Sequence, residues 1–340
     1  MSMRWGMTVP LSGVPLAEHR AVYEALAAAG FTDLWSSEVA GADAFTPLAM
    51  AAAWTPSMRL GTAITPVFTR GPGLLAMSAA ALAEAAPGRF QLGIGSSSPV
   101  VVGAWNSVEF TEPYARSRDM LRFLKAALAG DLVDHDYGTF AVRRFRLERP
   151  PATPPPVLLA ALRPGMLRLA AAEADGVILN WLSPADVSTA LAETKGASAE
   201  TKGALAETKG ASAGFEVAAR IFVCPTDDAG YARAVARRLI AAYLTVPAYA
   251  AFHRWLGREE ALTPLWAAWA AGERRAALAA IPDEVVDDLI VHGTPAECRS
   301  KVEAYAAAGV TVPVMALLPT PELESGGPAA LLETLAALGR

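Results

Sequence analysis

Arg89-Phe90-Gln91-Leu92-Gly93-Ile94-Gly95-Ser96-Ser97-Ser98 is the stretch on which the reading of this chain turns. It reads as a short buried strand that runs straight into a Gly/Ser loop. Leu92 and Ile94 are strand formers, and Gly93 and Gly95 let another backbone or a ligand come close. Three hydroxyls follow where the strand opens to a surface. In an α/β protein ligands sit there, at the carboxyl end of a parallel strand. A plain strand-to-loop turn would use the same letters, so the neighbouring segments have to decide.

Those neighbours alternate strand and helix. Upstream, residues 6–10 end a first strand, and a helix follows over about 16–29, with Gly30 as its stop. Residues 31–36 read as the second strand. After it come Ser37, Glu38, Val39, Gly41 and Asp43, then a helix through Met50. Residues 59–66 form the third strand and 73–85 a helix, so the opening stretch is the fourth strand. Downstream come a helix over 114–129, a hairpin over 137–147 and a proline-rich crossing at 150–156. Strands five, six and seven fall at 157–161, 176–180 and 215–224, with a helix at 166–174. A long helical stretch covers about 230–288, a helix 295–308, the eighth strand 310–317 and a last helix about 328–338. Eight short apolar strands alternating with helices imply an α/β fold of the (β/α)8 TIM-barrel type. A doubly wound open sheet is the alternative. The strand count and the lack of a GxGxxG after strand one favour the barrel.

The bulk numbers fit one barrel domain over residues 1–340. Hydrophobic residues make up 53% of the chain, enough for a large core. No run of about 18 apolar residues is present, so no membrane span is expected, and the N-terminus has no apolar signal core. A net charge of −5 with scattered signs argues against a nucleic-acid partner. Cys224 and Cys298 stand far apart without a CxxC pattern. They suit core positions and a reducing cytoplasm, not a disulfide or a metal site. Lysine is scarce, and three of the five lysines (Lys195, Lys202 and Lys209) fall in one segment, 191–213. There Ala-Glu-Thr-Lys-Gly-Ala recurs with a period of seven. Each unit carries a glycine and at most one leucine, so it cannot bury a stripe. It is expected to be a solvated excursion between strands six and seven, in part as frayed helix.

Taken together, the segments resemble the bacterial luciferase-like superfamily, in its branch of flavin- and deazaflavin-dependent oxidoreductases. The resemblance is carried by Gly30-Phe31 leading into Leu34-Trp35-Ser36-Ser37-Glu38, by Asp43-Ala44-Phe45-Thr46-Pro47-Leu48 and by Arg59-Leu60-Gly61-Thr62-Ala63. It continues through Gly88 to Ser96, Pro113-Tyr114-Ala115-Arg116, Ala160 to Ala170, Ala174-Asp175-Gly176, Gly293 to Glu297 and Tyr305 to Val310. The repeat and residues of about 245–280 fall outside it. It implies a barrel with helical insertions at the carboxyl face, here about 245–290, and a cofactor ring lying over the strand ends. Coenzyme F-420, a hydride carrier, is the implied cofactor, with FMN and a monooxygenase reaction as the alternative. The partners implied are a small-molecule substrate and a second copy of the chain.

Residue by residue, the resemblance places Glu38 at the acidic position of an acid–histidine pair, but Val39 stands where relatives often have the histidine. Ala63 and Ile64 match a bulge with a non-prolyl cis peptide behind the ring. Gly95, Ser96, Ser97 and Ser98 match the loop at the ring edge, and Ala161, Leu162, Arg163, Gly165 and Met166 the phosphate-side turn. For Glu38 a helix-capping or salt-bridged acid is the competing reading. For Arg163-Pro164-Gly165 it is an ordinary helix start with a solvated arginine. Asn180 and Trp181 end strand six, where an amide can anchor a ring carbonyl and an indole can wall a substrate pocket, though Trp181 as plain core reads as well. Trp105 could form part of a lid. His19, His253 and His292 read as structural. The expected activity is hydride transfer between F-420 and a small organic substrate, by enone or imine reduction or alcohol oxidation. With Val39 in place of histidine, a non-catalytic ligand-binding barrel also stays open.

Overall fold

The structure is a computed structural model that describes residues 4–205 and 214–339. Its centre is a closed ring of eight parallel strands: β1 (Gly6–Thr8), β2 (Asp33–Ser36), β3 (Arg59–Thr62), β4 (Phe90–Gly95), β5 (Val157–Ala160), β6 (Gly176–Asn180), β7 (Glu216–Cys224) and β8 (Val312–Leu317). Neighbours in sequence are neighbours in the ring. β6 pairs with β7, and β8 closes onto β1 with Gly6 opposite Val314. The expected TIM barrel is the fold observed, and β4 lies between β3 and β5.

Each strand shows one set of side chains to the barrel axis and the other to the surrounding helices. The axis-facing set includes Trp35, Leu158, Ile178, Ala218, Val312 and Val314, which form their own cluster inside the ring. The indole of Trp35 dominates it, and the glycines make room for that ring. A Cβ on Gly61 would lie 2.6 Å from the indole. A Cβ on Gly93 would lie 1.9 Å from the Thr62 carbonyl oxygen, so the fourth strand comes too close to the third to carry any side chain there. The Thr62 hydroxyl spans the same gap. It accepts from the Gly93 N–H and donates to the Gly93 carbonyl, each at 2.8 Å. At the amino-terminal floor Arg4 Nε donates to Asp33 at 3.1 Å, and Arg4 also pairs with Glu216.

Several expectations change at the level of elements. The third strand does not run unbroken over 59–66. It stops at Thr62, the Ala63–Ile64 peptide is cis, and Thr65–Pro66 resumes as a short strand beside β4. The expected hairpin pairs Val133–Asp136 with Ala141–Phe145, so Tyr137 lies in its turn. Its Arg143 faces Asp134 and Asp136 across the hairpin. The stretch read as one long helix is five: Ala229–Leu244, Pro247–Trp255, Glu259–Ala270, Arg274–Ala279 and Asp283–Leu289. Pro247, Gly257, Gly272 and Pro282 supply the breaks, by ring closure or by left-handed φ. The last helix starts earlier than expected, at Pro321, and kinks at Gly327. A π-helix at Val100–Trp105 and an edge strand at Ile290–His292 carried no clear pattern in the sequence.

The expected solvated excursion is corrected at its start. Residues 191–205 continue the helix Pro184–Leu205; Thr194 is buried, and Glu193 pairs with Arg168. The rest of that expectation, residues 206–213, lies outside the described residues. Among the described residues no helix is long and apolar enough to cross a membrane.

Candidate active site at the carboxyl mouth of the barrel

The mouth is built from the strand ends and the loops that leave them. β4 ends at Gly95, whose missing side chain lets β4 lie against its neighbours. A Cβ there would meet Ala160 of β5 at 3.0 Å and Ile64 at 3.3 Å. Ala63, Ile64, Gly95 and Ala160 therefore form one apolar wall in which the Ile64 side chain lies against the bare Gly95 backbone. Ser96, Ser97 and Ser98 follow, all half-buried, with Ser97 at φ +63°. Ser98 Oγ accepts the Val101 N–H at 3.3 Å and so starts the π-helix. Trp105 ends that helix and is 55% exposed, while Asn106 turns back to donate to the Val101 carbonyl at 2.7 Å.

After β5, Arg163 is the N-cap of the helix Pro164–Glu173, and no side chain caps that end. The first intrahelical bond runs from the Leu167 N–H to the Arg163 carbonyl at 3.0 Å. That leaves the N–H groups of Gly165 and Met166 facing outward, as at any helix start. Space is open above them. A Cβ on Gly165 would touch only Tyr114, at 3.9 Å. Leu162 and Met166 are half-buried, Ala161 is buried and Arg163 is exposed. The turn thus offers free N–H donors and a cation to an anionic group.

Glu38 follows β2 and is tied to the same wall at Ile64. Its own N–H donates to the Ile64 carbonyl at 3.2 Å. Its carboxylate accepts from Arg70 through Nε at 3.1 Å and through a terminal nitrogen at 2.8 Å, and from the Ala44 N–H at 3.2 Å. Arg70 also lies over the Phe45 ring, at 4.9 Å. Both Glu38 oxygens are engaged, so the salt-bridged reading of this acid has the geometry behind it. Arg70 went unread in the sequence because it lies 32 residues away with no local pattern to flag it.

The opposite side is made by β6, β7 and the first insertion helices. Asn180 Nδ2 donates to the Tyr249 hydroxyl at 3.1 Å, and Asn180 Oδ1 is buried without a partner. Burial pushes the Tyr249 hydroxyl up to about 12, so it stays protonated. Trp181, expected as a pocket wall or as core, sits as core. It is 1% exposed, at φ +58°, with Phe222 at 4.3 Å and Tyr243 at 4.9 Å. Arg220, opposite Asn180 in register, projects into the mouth beside a small cavity lined also by Thr8, Trp35, Ser36 and Ala63. Its Nε is buried without an acceptor. The alternation Glu216, Ala218, Arg220 along β7 was the available signal for Arg220.

His19 and the two cysteines make structural contacts. His19 is buried; its Nε2 accepts the Leu11 N–H at 2.8 Å while Nδ1 faces the Pro15 carbonyl. Burial holds it below the usual imidazole range. Cys224 and Cys298 are both buried and free, and burial raises both thiols.

Known proteins resemble this chain in sequence and in fold. A Mycobacterium tuberculosis protein, provisionally named a coenzyme F-420-dependent oxidoreductase, is 29% identical over 337 residues, covering 92% of this chain and 94% of its own. A 5,10-methylenetetrahydromethanopterin reductase of Methanolobus tindarius is 26% identical over 286 residues, 83% of this chain and 84% of its own. Among solved structures, an F-420-dependent secondary alcohol dehydrogenase in complex with an F-420–acetone adduct superposes with a TM-score of 0.77. It is 15% identical and covers 100% of both chains, a likeness of fold. The family model for luciferase-like monooxygenases matches residues 3–312. The chain belongs to the luciferase-like monooxygenase family.

Proposed function

We propose that this protein is an F-420-dependent oxidoreductase that moves a hydride between the deazaflavin and a small organic substrate. The observation that carries the proposal is the pairing of an apolar wall of mostly small residues with an open helix start on adjacent strands. Gly95 and Ala160 touch across β4 and β5, and the free N–H groups of Gly165 and Met166 begin five residues beyond Ala160. A planar ring carrying a phosphorylated tail needs both features, side by side. The relatives named for F-420 support the same cofactor. When bound, the deazaflavin supplies two-electron hydride chemistry that no side chain has.

The chain's own residues then have distinct tasks. Ala63, Ile64 and Gly95 would back the ring. The hydroxyls of Ser96, Ser97 and Ser98 line its edge, and Gly165, Met166 and Arg163 hold the phosphate. One end of the Asn180 amide meets Tyr249 and the other is buried without a partner, so that end would be completed by a bound group. Tyr249, hydrogen-bonded to Asn180, and the exposed Trp105 would border the substrate. Glu38 holds Arg70 and the loop behind the wall. A proton role for it would require that pair to open.

Retention of cofactor on the protein tests the reading. The chain is mixed with F-420 or with FMN and passed through a desalting column, and the spectrum of the protein fraction is recorded. The expected result is one F-420 retained per chain and little FMN. Retention of FMN alone would move the protein to the flavin monooxygenases, and retention of neither would leave a barrel that binds some other ligand.

A further inference from the structure

Arg220 has no carboxylate partner among the described residues, yet it is only partly exposed and its Nε is fully buried. A guanidinium in such a place keeps its charge and loses part of its hydration. Its register neighbours, Asn180 on β6 and Val314 on β8, carry no charge. Arg59, the other inward arginine without an ion pair, stands in register beside Asp33. Arg220 is held from behind: its guanidinium lies 4.9 Å from the centre of the Phe222 ring. Its front borders the cavity shared with Ala63 and Ser36, so it faces the ring wall across the mouth.

We propose that Arg220 anchors a carboxylate on the substrate, so that the enzyme acts on small unsaturated or oxo acids. The proposal rests on the F-420 reading for the reaction the acid undergoes, and on the mouth alone for its binding. Three points select a carboxylate. The guanidinium fork matches its two oxygens. The Asn180 amide lies beside it and can turn its NH2 toward the anion while Oδ1 accepts from Tyr249, since the two amide orientations have the same shape. The third point is charge. Arg220 stands alone, because Arg70 is tied to Glu38 and Arg163 lies at the phosphate turn. One cation neutralises a monoanion and would leave a phosphate dianion half compensated.

The test is calorimetric titration of the F-420-bound protein with crotonate, cinnamate and benzoate, each against its primary amide. The expected result is that at least one acid binds about tenfold or more tighter than its amide, the scale of a charge-assisted hydrogen bond. Arg220→Met should abolish the preference and leave F-420 affinity within about twofold. Arg220→Lys, which keeps the charge but loses the fork, should keep part of it and covers the case of a Met variant that does not fold. Equal binding of acids and amides by the wild type would overturn the proposal. So would an Arg220→Met variant that loses F-420 instead of the acid, since Arg220 would then serve the cofactor. If the wild type holds no F-420, the same titrations on the cofactor-free protein still decide the matter, and the failure falls on the cofactor assignment.

Discussion

At the floor of the barrel Arg4 reaches two carboxylates, Asp33 and Glu216; at the mouth Arg220 reaches none. Both arginines point to the axis of the same ring. At the floor Arg4 is met by the chain's own counter-charges, which is how a buried charge is made tolerable, although Arg59 Nε and one Glu216 oxygen there lack a hydrogen-bond partner. The mouth keeps a guanidinium, an amide oxygen and a helix start without protein partners. In a folded protein such groups are costly unless something else completes them. The difference separates charge used for holding the barrel together from charge kept for a ligand. It also follows the general rule that barrel enzymes work at the carboxyl face and are stabilised at the amino face.

The largest effect is expected on the floor. Asp33→Ala leaves Arg4 with Glu216 alone and removes a buried, hydrogen-bonded carboxylate, so it should cost about 2–3 kcal/mol of stability, read as a shift of the denaturant midpoint. A loss under about 1 kcal/mol would mean the floor pair is no more than a surface pair, and the contrast with the mouth would fail. Next comes the phosphate turn. Arg163→Gln removes an exposed cation and should weaken F-420 binding about tenfold, near 1.4 kcal/mol, with no change in melting temperature. An equal loss of stability would put Arg163 among the structural charges.

A third kind of charge, on the outer shell, gives a smaller effect. Asp287 accepts from Arg233 at 2.6 Å and faces His292 Nε2 at 2.9 Å. The Arg233 hydrogen bond leads in holding its carboxyl down to about 2, from 3.8. A depressed carboxyl stabilises the fold above its unfolded value, and that contribution is lost as pH falls from about 4 to about 2. Asp287 is 38% exposed, so solvent screening leaves about 1 kcal/mol. Wild type and Asp287→Asn should differ in denaturant midpoint at pH 6 and converge by pH 2. A difference that persists at pH 2 would exclude the titration of Asp287 as its source. The smallest stability effect belongs to Arg220. Arg220→Met gives up one cation–π contact and one orphaned Nε, and should leave stability within about 1 kcal/mol of wild type. A loss of several kcal/mol would show that Arg220 holds the barrel together after all.

The frame of the molecule was legible from the sequence, and the reason is local. Short apolar runs between helical stretches marked the eight strands. Gly93 announced a close approach that proves to be the Thr62 carbonyl. Gly30, Gly293 and Gly309 marked the ends of segments, each with positive φ. Thr294 and Glu297 formed a capping box that matched the expected helix start at Pro295. What escaped depends on register or on long loops. Glu38 and Arg70 meet only because the chain turns back past the cis peptide at Ala63–Ile64. Arg220 and Asn180 meet only because β6 and β7 pair in one register among several. Trp181 follows a strand end, a position that suggested a pocket wall, but its left-handed backbone turns the indole into the aromatic core. Tyr249 lies in the insertion that the family resemblance did not cover.

The central claim is that the mouth is kept open for coenzyme F-420. Titrating the purified chain with F-420 while following deazaflavin fluorescence, with FMN as competitor, tests it most directly. The account predicts saturation at one F-420 per chain, no displacement by excess FMN, and a right-shifted curve for Arg163→Gln. Displacement of F-420 by stoichiometric FMN, or an Arg163→Gln curve that overlies the wild type, would contradict it.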